Sequence, residues 1–194
     1  ALPICDMRDK IKKYHPKLIV ITSPHNPTGC KISPDSLEQI IHDNKDSLIL
    51  LDEAYYGFGE EDIDVRRLVE TYTNIIVSRT FSKYYGLANM RVGFGFCNYK
   101  TRSIWKLDLP LFRGNIIARR MAEEALQDKA YYESMTSKIQ KNRMWLIEHL
   151  NELPSVHAFQ SYSNFVALQI IGIDMKKFRD KLREEGYLIR LFED

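Results

Sequence analysis

Three short apolar runs, Lys17-Leu-Ile-Val-Ile-Thr22, Leu48-Ile-Leu-Leu-Asp52 and Asn74-Ile-Ile-Val-Ser-Arg-Thr80, constrain the fold more than any other feature. They are too brief for buried helices and show no two-fold alternation. Two of them are rich in β-branched residues, so all three read as fully buried strands. Between the first two, Ser33 precedes Pro34 and Asp35, a cap with proline at the first helical position, and Leu37, Ile40 and Ile41 follow at helical spacing. Before the third run, residues Asp64 to Tyr72 carry Val65, Leu68 and Val69 on one helical face. The order β-α-β-α-β predicts an α/β fold whose parallel strands are joined by right-handed helical crossovers.

Beyond that unit, Arg91 to Cys97 predicts a fourth strand. The stretch from Asn115 to Leu153 is helical with a break at Asp128-Lys129; Met144, Ile147 and Leu150 mark a long amphipathic helix stopped by Pro154. A strand (Asn164 to Ile170), a helix (Asp174 to Glu185) closed by Gly186, and a last strand (Tyr187 to Phe192) are expected to form a second, smaller layer.

Composition narrows the function. With 44% hydrophobic residues the chain can bury a core, and 28 basic against 26 acidic side chains leave a net charge of +2, no field for a nucleic-acid backbone. The aliphatic runs are too short to span a bilayer. Cys5, Cys30 and Cys97 lie far apart without CxxC spacing, which fits a reducing compartment, and a soluble, cytoplasmic protein is expected. The N-terminus has neither an initiator Met nor a signal-peptide core, so a processed chain or a piece of a longer one is expected.

Polar groups follow all three parallel strands: Ser23-Pro-His-Asn26-Pro-Thr-Gly29, Asp52-Glu-Ala-Tyr55, and Thr80-Phe-Ser82-Lys83. Singly, these are a turn, a helix cap and a solvated lysine. Together they lie at the strand edge where open α/β sheets bind ligands. The set suits a pyridine ring with a phosphate. Asp52 can hold a ring nitrogen protonated, and Asn26 and Tyr55 can donate to a ring oxygen. If the chain stays extended past Thr80, then Thr80 and Ser82 face a phosphate while Lys83 faces the reacting carbon. Arg91 can return after the Gly86 loop to add the planar cation that phosphate prefers. These roles converge on a lysine Schiff base to pyridoxal 5'-phosphate (PLP).

The segments SPHNPTG, LLDEAYYGFG and SRTFSKYYGLANMRVGF, in this order and at these separations, resemble the class I/II aminotransferases of PLP fold type I, most closely the histidinol-phosphate aminotransferase branch. The resemblance implies a partial three-layer α/β/α large domain with a mostly parallel sheet (residues 1–133), followed by a smaller α+β C-terminal domain (134–194). By it, Lys83 is the Schiff-base lysine and proton shuttle, and Asp52 partners the pyridine nitrogen. Tyr55 and Asn26 contact the ring oxygen; Thr80, Ser82 and Arg91 hold the phosphate. The segment Ser163-Asn-Phe-Val resembles the opening strand of the small domain, and Arg190 falls where that branch has an arginine for the substrate's distal group.

Two departures stand out. Asn89 occupies a position where the family usually has glycine; asparagine is the next most tolerant of a left-handed turn. Family members are also roughly twice as long. The parts expected to supply the glycine-containing phosphate loop, the stacking ring and the α-carboxylate arginine lie outside this sequence, which is therefore read as the middle and C-terminal portion of a larger enzyme. The expected activity is transfer of an amino group between an L-amino compound and a 2-oxo acid, in a homodimer. A PLP-dependent decarboxylase or carbon–sulfur lyase is the alternative, and a noncatalytic unit a third. Gly93-Phe-Gly95 lacks the third glycine of a dinucleotide fingerprint. His25 reads as a turn residue facing solvent, and His15, His42, His149 and His157 show no metal-ligand spacing. Lys176, Lys177, Arg179, Lys181 and Arg183 read as the wet face of a helix.

Overall fold

A computed structural model describes residues 4–60, 63–105 and 115–192. Strands β1 (Leu18–Thr22), β2 (Leu48–Asp52) and β3 (Ile75–Thr80) are parallel and adjacent, and β4 (Gly93–Cys97) closes the order β1-β2-β3-β4 antiparallel to β3. The crossovers are helices α2 (Pro34–Asp43) and α3 (Val65–Thr71). Ser33 caps α2 by accepting from the Ser36 amide, and Asp64 caps α3 by accepting from the Arg67 amide, so both starts follow from local chemistry.

The three parallel strands are not buried on both faces, contrary to the sequence expectation. Ile19, Ile21, Ile49, Leu51, Ile75 and Val77 point into one core with Leu37, Ile40 and Ile41 of α2, Leu68 and Val69 of α3, and Ile11 of α1 (Ile4–Tyr14). On the opposite face Leu18 and Val20 stay 52% and 54% exposed. A strand that is apolar on both faces reads the same in sequence whether or not its second face is covered.

Helix α1 was not foreseen, although Ile4, Met7 and Ile11 carry its apolar face. A short α4 (Tyr99–Ile104) follows β4. Helices α5 (Ile116–Gln127) and α6 (Lys129–Asn151) meet at the expected break, where Asp128 ends one and caps the other by accepting from the Tyr131 amide. The tail differs from expectation. Val156–Ala158 forms β5, and only Leu168–Ile170 of the expected strand pairs with it, as β6. Helix α7 (Met175–Glu184) forms within the expected span, with Asp174 as its cap. Residues Tyr187 to Phe192 form no strand; Leu188 is 84% exposed and has no described strand to pair with. A two-stranded antiparallel sheet, not a β-α-β layer, results.

Candidate active site

The parallel register sets Thr22, Asp52 and Ser78 side by side at the C-terminal edge of the sheet. With a two-residue side-chain period they share the face opposite the helical core. Gly95 pairs with Ser78 and Gly93 with Thr80, so at these two positions β4 adds no side chain to that face; its first side chain there is Cys97, opposite Ile76 and away from the edge. A Cβ at Gly93 would lie 2.9 Å from the Arg79 carbonyl oxygen, so the close approach of β4 to β3 here requires glycine. Asp52 is half-buried; its Oδ1 accepts from the Ala54 amide (3.1 Å) and the Ser78 hydroxyl (3.2 Å). Both bonds fall on one oxygen, and Oδ2 has none among the described residues. On the core side of the same edge, Arg79 Nε donates to Glu53 Oε2 at 2.7 Å and the guanidinium stacks on Tyr56 at 3.2 Å, tying β2 to β3.

The loop after β1 brings Asn26 to this edge: its Nδ2 donates to the Tyr55 phenol oxygen at 2.6 Å. Tyr55 is buried, edge-on to Phe165 with ring centroids 5.1 Å apart. Lys83 Nζ lies 5.4 Å from the Tyr55 ring centroid, is solvent-exposed, and forms no ion pair among the described residues. Three residues from three strand ends, Asn26, Tyr55 and Lys83, thus stand together, with Asp52 at the adjoining register position. His25 does not face solvent as expected. It is half-buried, with Nδ1 2.9 Å from Thr28 Oγ1, and helps close the Asn26 loop.

The stretch past Thr80 turns at once, and the extended conformation that would alternate Ser82 and Lys83 is absent. The Ser82 amide donates to Thr80 Oγ1 (3.1 Å) and the Gly86 amide to the Lys83 carbonyl (3.1 Å). Arg91 returns beside this turn, since Phe81 donates to the Val92 carbonyl at 3.0 Å, but its guanidinium donates to the Ala88 carbonyl at 2.8 Å. Arg91 itself takes the left-handed conformation (φ +53°), while Asn89 lies in the single 3-10 turn Ala88–Met90 without positive φ. The Asn89 position therefore asks for no left-handed residue. Arg190 is exposed, its guanidinium 5.4 Å over the Phe192 ring. Among the described residues no cluster of His, Cys, Asp or Glu could hold a metal ion.

Residues the sequence reading passed over complete the surroundings. Segment 161–165 crosses the site: Tyr162 donates its amide to the Gly29 carbonyl (2.8 Å), and Ser161 packs directly on Gly29. Arg143 of α6 is buried and donates to the Phe58 and Ser163 carbonyls. It occupies the position that Ile139 and Ile147, one turn to either side, assign to the inner face, and a charged residue on an apolar stripe is a readable signal.

The sequence profile for aminotransferase class I and II matches residues 4–193. Histidinol-phosphate aminotransferase 2 of Archaeoglobus fulgidus is 34% identical over 183 residues, 94% of this chain and 51% of its own length. Histidinol-phosphate aminotransferase 1, chloroplastic, of Arabidopsis thaliana is 36% identical over 192 residues, 98% of this chain and 45% of its own. The crystal structure of histidinol-phosphate aminotransferase from Sinorhizobium meliloti in complex with pyridoxal-5'-phosphate superposes with a TM-score of 0.82 at 26% identity, over 96% of this chain and 52% of that one. The chain spans about half the length of the curated relatives it matches. A profile matched over nearly every residue, on an α/β sheet whose strand ends gather asparagine, aspartate, tyrosine and lysine, places this chain in the class I and II aminotransferase family.

Proposed function

We propose that the protein containing these residues is a PLP-dependent aminotransferase that moves an amino group between an L-amino compound with a polar or anionic distal group and a 2-oxo acid. The observation that carries this reading is the meeting of Asn26, Tyr55 and Lys83 beside Asp52 at one sheet edge. The donor set fits the cofactor. Asp52 keeps one carboxylate oxygen open for a protonated ring nitrogen. The Tyr55 oxygen accepts from Asn26, which leaves its own proton to donate to a ring oxygen. Thr80 and Ser82, and Arg91 once released from the Ala88 carbonyl, would hold the phosphate. Gly93 and Gly95 of β4 place no side chain opposite Thr80 and Ser78, on the face that carries Asp52.

When bound, PLP supplies an aldehyde carbon that takes an amine and a cationic ring that draws electrons from the substrate carbon. Lys83 Nζ would hold the cofactor at that carbon and, as a free amine, would carry the donor's α-proton. Asp52 would keep the ring proton in place, since an adjacent negative charge favours the cationic form. Tyr55 and Asn26 would orient the ring. The relatives' names, histidinol-phosphate aminotransferases, favour transamination and a phosphorylated donor. Arg190 would meet the donor's distal anion after leaving Phe192. The same proposal assigns residues 1–133 to a large domain and 134–194 to a small one, joined through α6, and includes a homodimer in the cytoplasm. Among the described residues no helix is long and apolar enough to cross a membrane.

The test is chemical. Incubation with PLP should give a visible absorption band that histidinol phosphate discharges in a single turnover; borohydride reduction and peptide mapping should then locate the adduct on Lys83. An adduct on any other lysine overturns the site, and a band that the donor leaves unchanged overturns the substrate class.

A further inference from the structure

One face of α6 meets the candidate site along its length. Tyr132 donates its hydroxyl to the Tyr85 carbonyl at 3.4 Å. One turn on, Thr136 Oγ1 donates to the Gly57 carbonyl at 3.0 Å and lies 2.8 Å from the Tyr84 hydroxyl. Two turns further, Arg143 Nη1 donates to the Phe58 carbonyl at 2.8 Å and to the Ser163 carbonyl at 2.6 Å. Thr136 and Arg143, spaced to share a helical face, thus hold consecutive carbonyls of the loop that carries Tyr55. Arg143 also holds the segment whose Phe165 packs on the Tyr55 ring.

Arg143 is an expensive way to join two carbonyls. It is 9% exposed, no carboxylate pairs with it among the described residues, and neither its Nε nor the Ser163 hydroxyl has a hydrogen-bond partner there. Burying an unpaired cation opposes folding, and that burial pushes the guanidinium pKa below its ordinary value. What the guanidinium offers in return is a rigid planar fork that bridges two backbone segments. Those segments, 55–59 and 161–165, are the ones that pack on Tyr55 and on Gly29 of the Asn26 loop.

We propose that Arg143 is a positioning residue: by drawing the Phe58 and Ser163 carbonyls to one guanidinium it fixes the Tyr55 phenol between Asn26 and Phe165, at its distance from Lys83. The inference rests on the functional reading above, because it gives Tyr55 its task. It goes beyond that reading in assigning the placement of Tyr55 to a residue that touches neither cofactor nor substrate.

The experiment uses the protein containing these residues, as wild type, Arg143→Met and Arg143→Lys. Amide hydrogen exchange of the PLP-free protein should be about tenfold faster or more in residues 55–59 and 161–165 of Arg143→Met, with β1 to β3 unchanged. In the PLP-loaded protein the pH midpoint of the visible band should shift, and kcat should fall about tenfold or more with KM little changed, since slight misplacement of a group near the reacting atoms costs rate. Arg143→Lys should recover part of each change. Exchange that rises evenly over sheet and helices, or local loosening with a wild-type band midpoint and kcat, overturns the proposal and leaves Arg143 a structural residue. Should Arg143→Met not fold, Arg143→Gln, which keeps an amide donor but no fork, carries the same readouts with the same supporting and overturning results. A wild type that takes up no PLP on Lys83 overturns the functional reading together with this inference; a wild type that does, beside unresponsive variants, overturns this inference alone.

Discussion

At the scale of single residues, Asp52 and Gly29 show how differently two positions at one edge are constrained. Asp52 uses one carboxylate oxygen for the fold and leaves the other without a hydrogen bond among the described residues. Asp52→Asn keeps an acceptor for the Ala54 amide and the Ser78 hydroxyl but removes the charge. It is expected to fold normally and to lose two to three powers of ten in single-turnover rate. The estimate follows from about 3–5 kcal/mol for breaking a buried charge pair and about 1.4 kcal/mol per tenfold in rate. A variant that keeps more than a tenth of the wild-type rate would show that Asp52 does not hold a ring proton. Gly29 is constrained by space and by conformation: its φ is +75°, and a Cβ would lie 2.2 Å from Ser161 Oγ. Ser161 cannot step aside, because it is fully buried and bonded to the Phe165 carbonyl (2.6 Å) and the Ser163 amide (3.1 Å). Gly29→Ala should therefore cost about 1–2 kcal/mol in left-handed strain and about 1–3 kcal/mol in overpacking. Thermal melts of Gly29→Ala, of Ser161→Gly, which by itself loses the two hydrogen bonds, and of the double variant separate the two; the coupling in this cycle should equal the packing share, and no coupling would mean that the clash is absent.

At the scale of elements, α2 and α3 are joined across their outer surfaces by Glu38. Arg67 Nη1 donates to Glu38 Oε1 at 2.8 Å, its second nitrogen binds the other oxygen, and the Tyr72 hydroxyl donates at 3.0 Å. These bonds, Arg67's first, lower the Glu38 pKa from the ordinary carboxylate range to about 2. A carboxyl whose folded pKa is depressed contributes stability in full above its unfolded value, about 4.3, and loses it as pH falls through the folded value. Glu38→Gln should therefore lower the thermal midpoint at pH 7, by a small amount given the exposure of the pair, and the difference from wild type should close between about pH 4 and pH 2. A difference that persists below pH 2 would mean that Glu38 acts through packing. Elements with starts this local were legible in sequence: Ser33, Asp64, Asp128 and Asp174 each announce a helix by a side-chain oxygen placed to accept from its first turn. The tail was less legible, because Tyr187 to Phe192 has the composition of a strand but no described strand to pair with, and pairing is a non-local condition. The site was legible where it depends on residue type at a strand end, as with Asn26, Asp52, Tyr55 and Lys83. It was obscure where it depends on where a loop turns, as with Ser82 and Arg91, or on a partner far along the chain, as with Arg143 and Ser163.

For the whole molecule, the sheet has one sealed face and one open face, and that asymmetry governs how residues 1–194 behave when made alone. The sealed face holds side chains with almost no exposure, Ile49, Leu51, Ile75 and Val77 among them, and should form a cooperative core. The open face leaves Leu18 and Val20 more than half exposed, and Ile116, Ile117 and Leu188 elsewhere are 82%, 64% and 84% exposed. Apolar surface gains about 25 cal/mol for each Å² removed from water, and exposed apolar surface favours association. β1 also presents a hydrogen-bonding edge with no partner among the described strands. Residues 1–194 produced by themselves should therefore bind a hydrophobic dye such as ANS and associate with rising concentration in sedimentation experiments, without transaminase turnover. A longer chain with the same residues, comparable in length to the curated relatives, should bind less dye per molecule because more of this surface is covered. The substitution Val20→Thr, which keeps a β-branched side chain in β1 but adds a hydroxyl to the open face, should reduce dye binding and association of the short chain while leaving the sealed core's melting transition nearly unchanged. A short chain that stays monomeric and dye-free at all concentrations would show that this exposed apolar surface does not drive association.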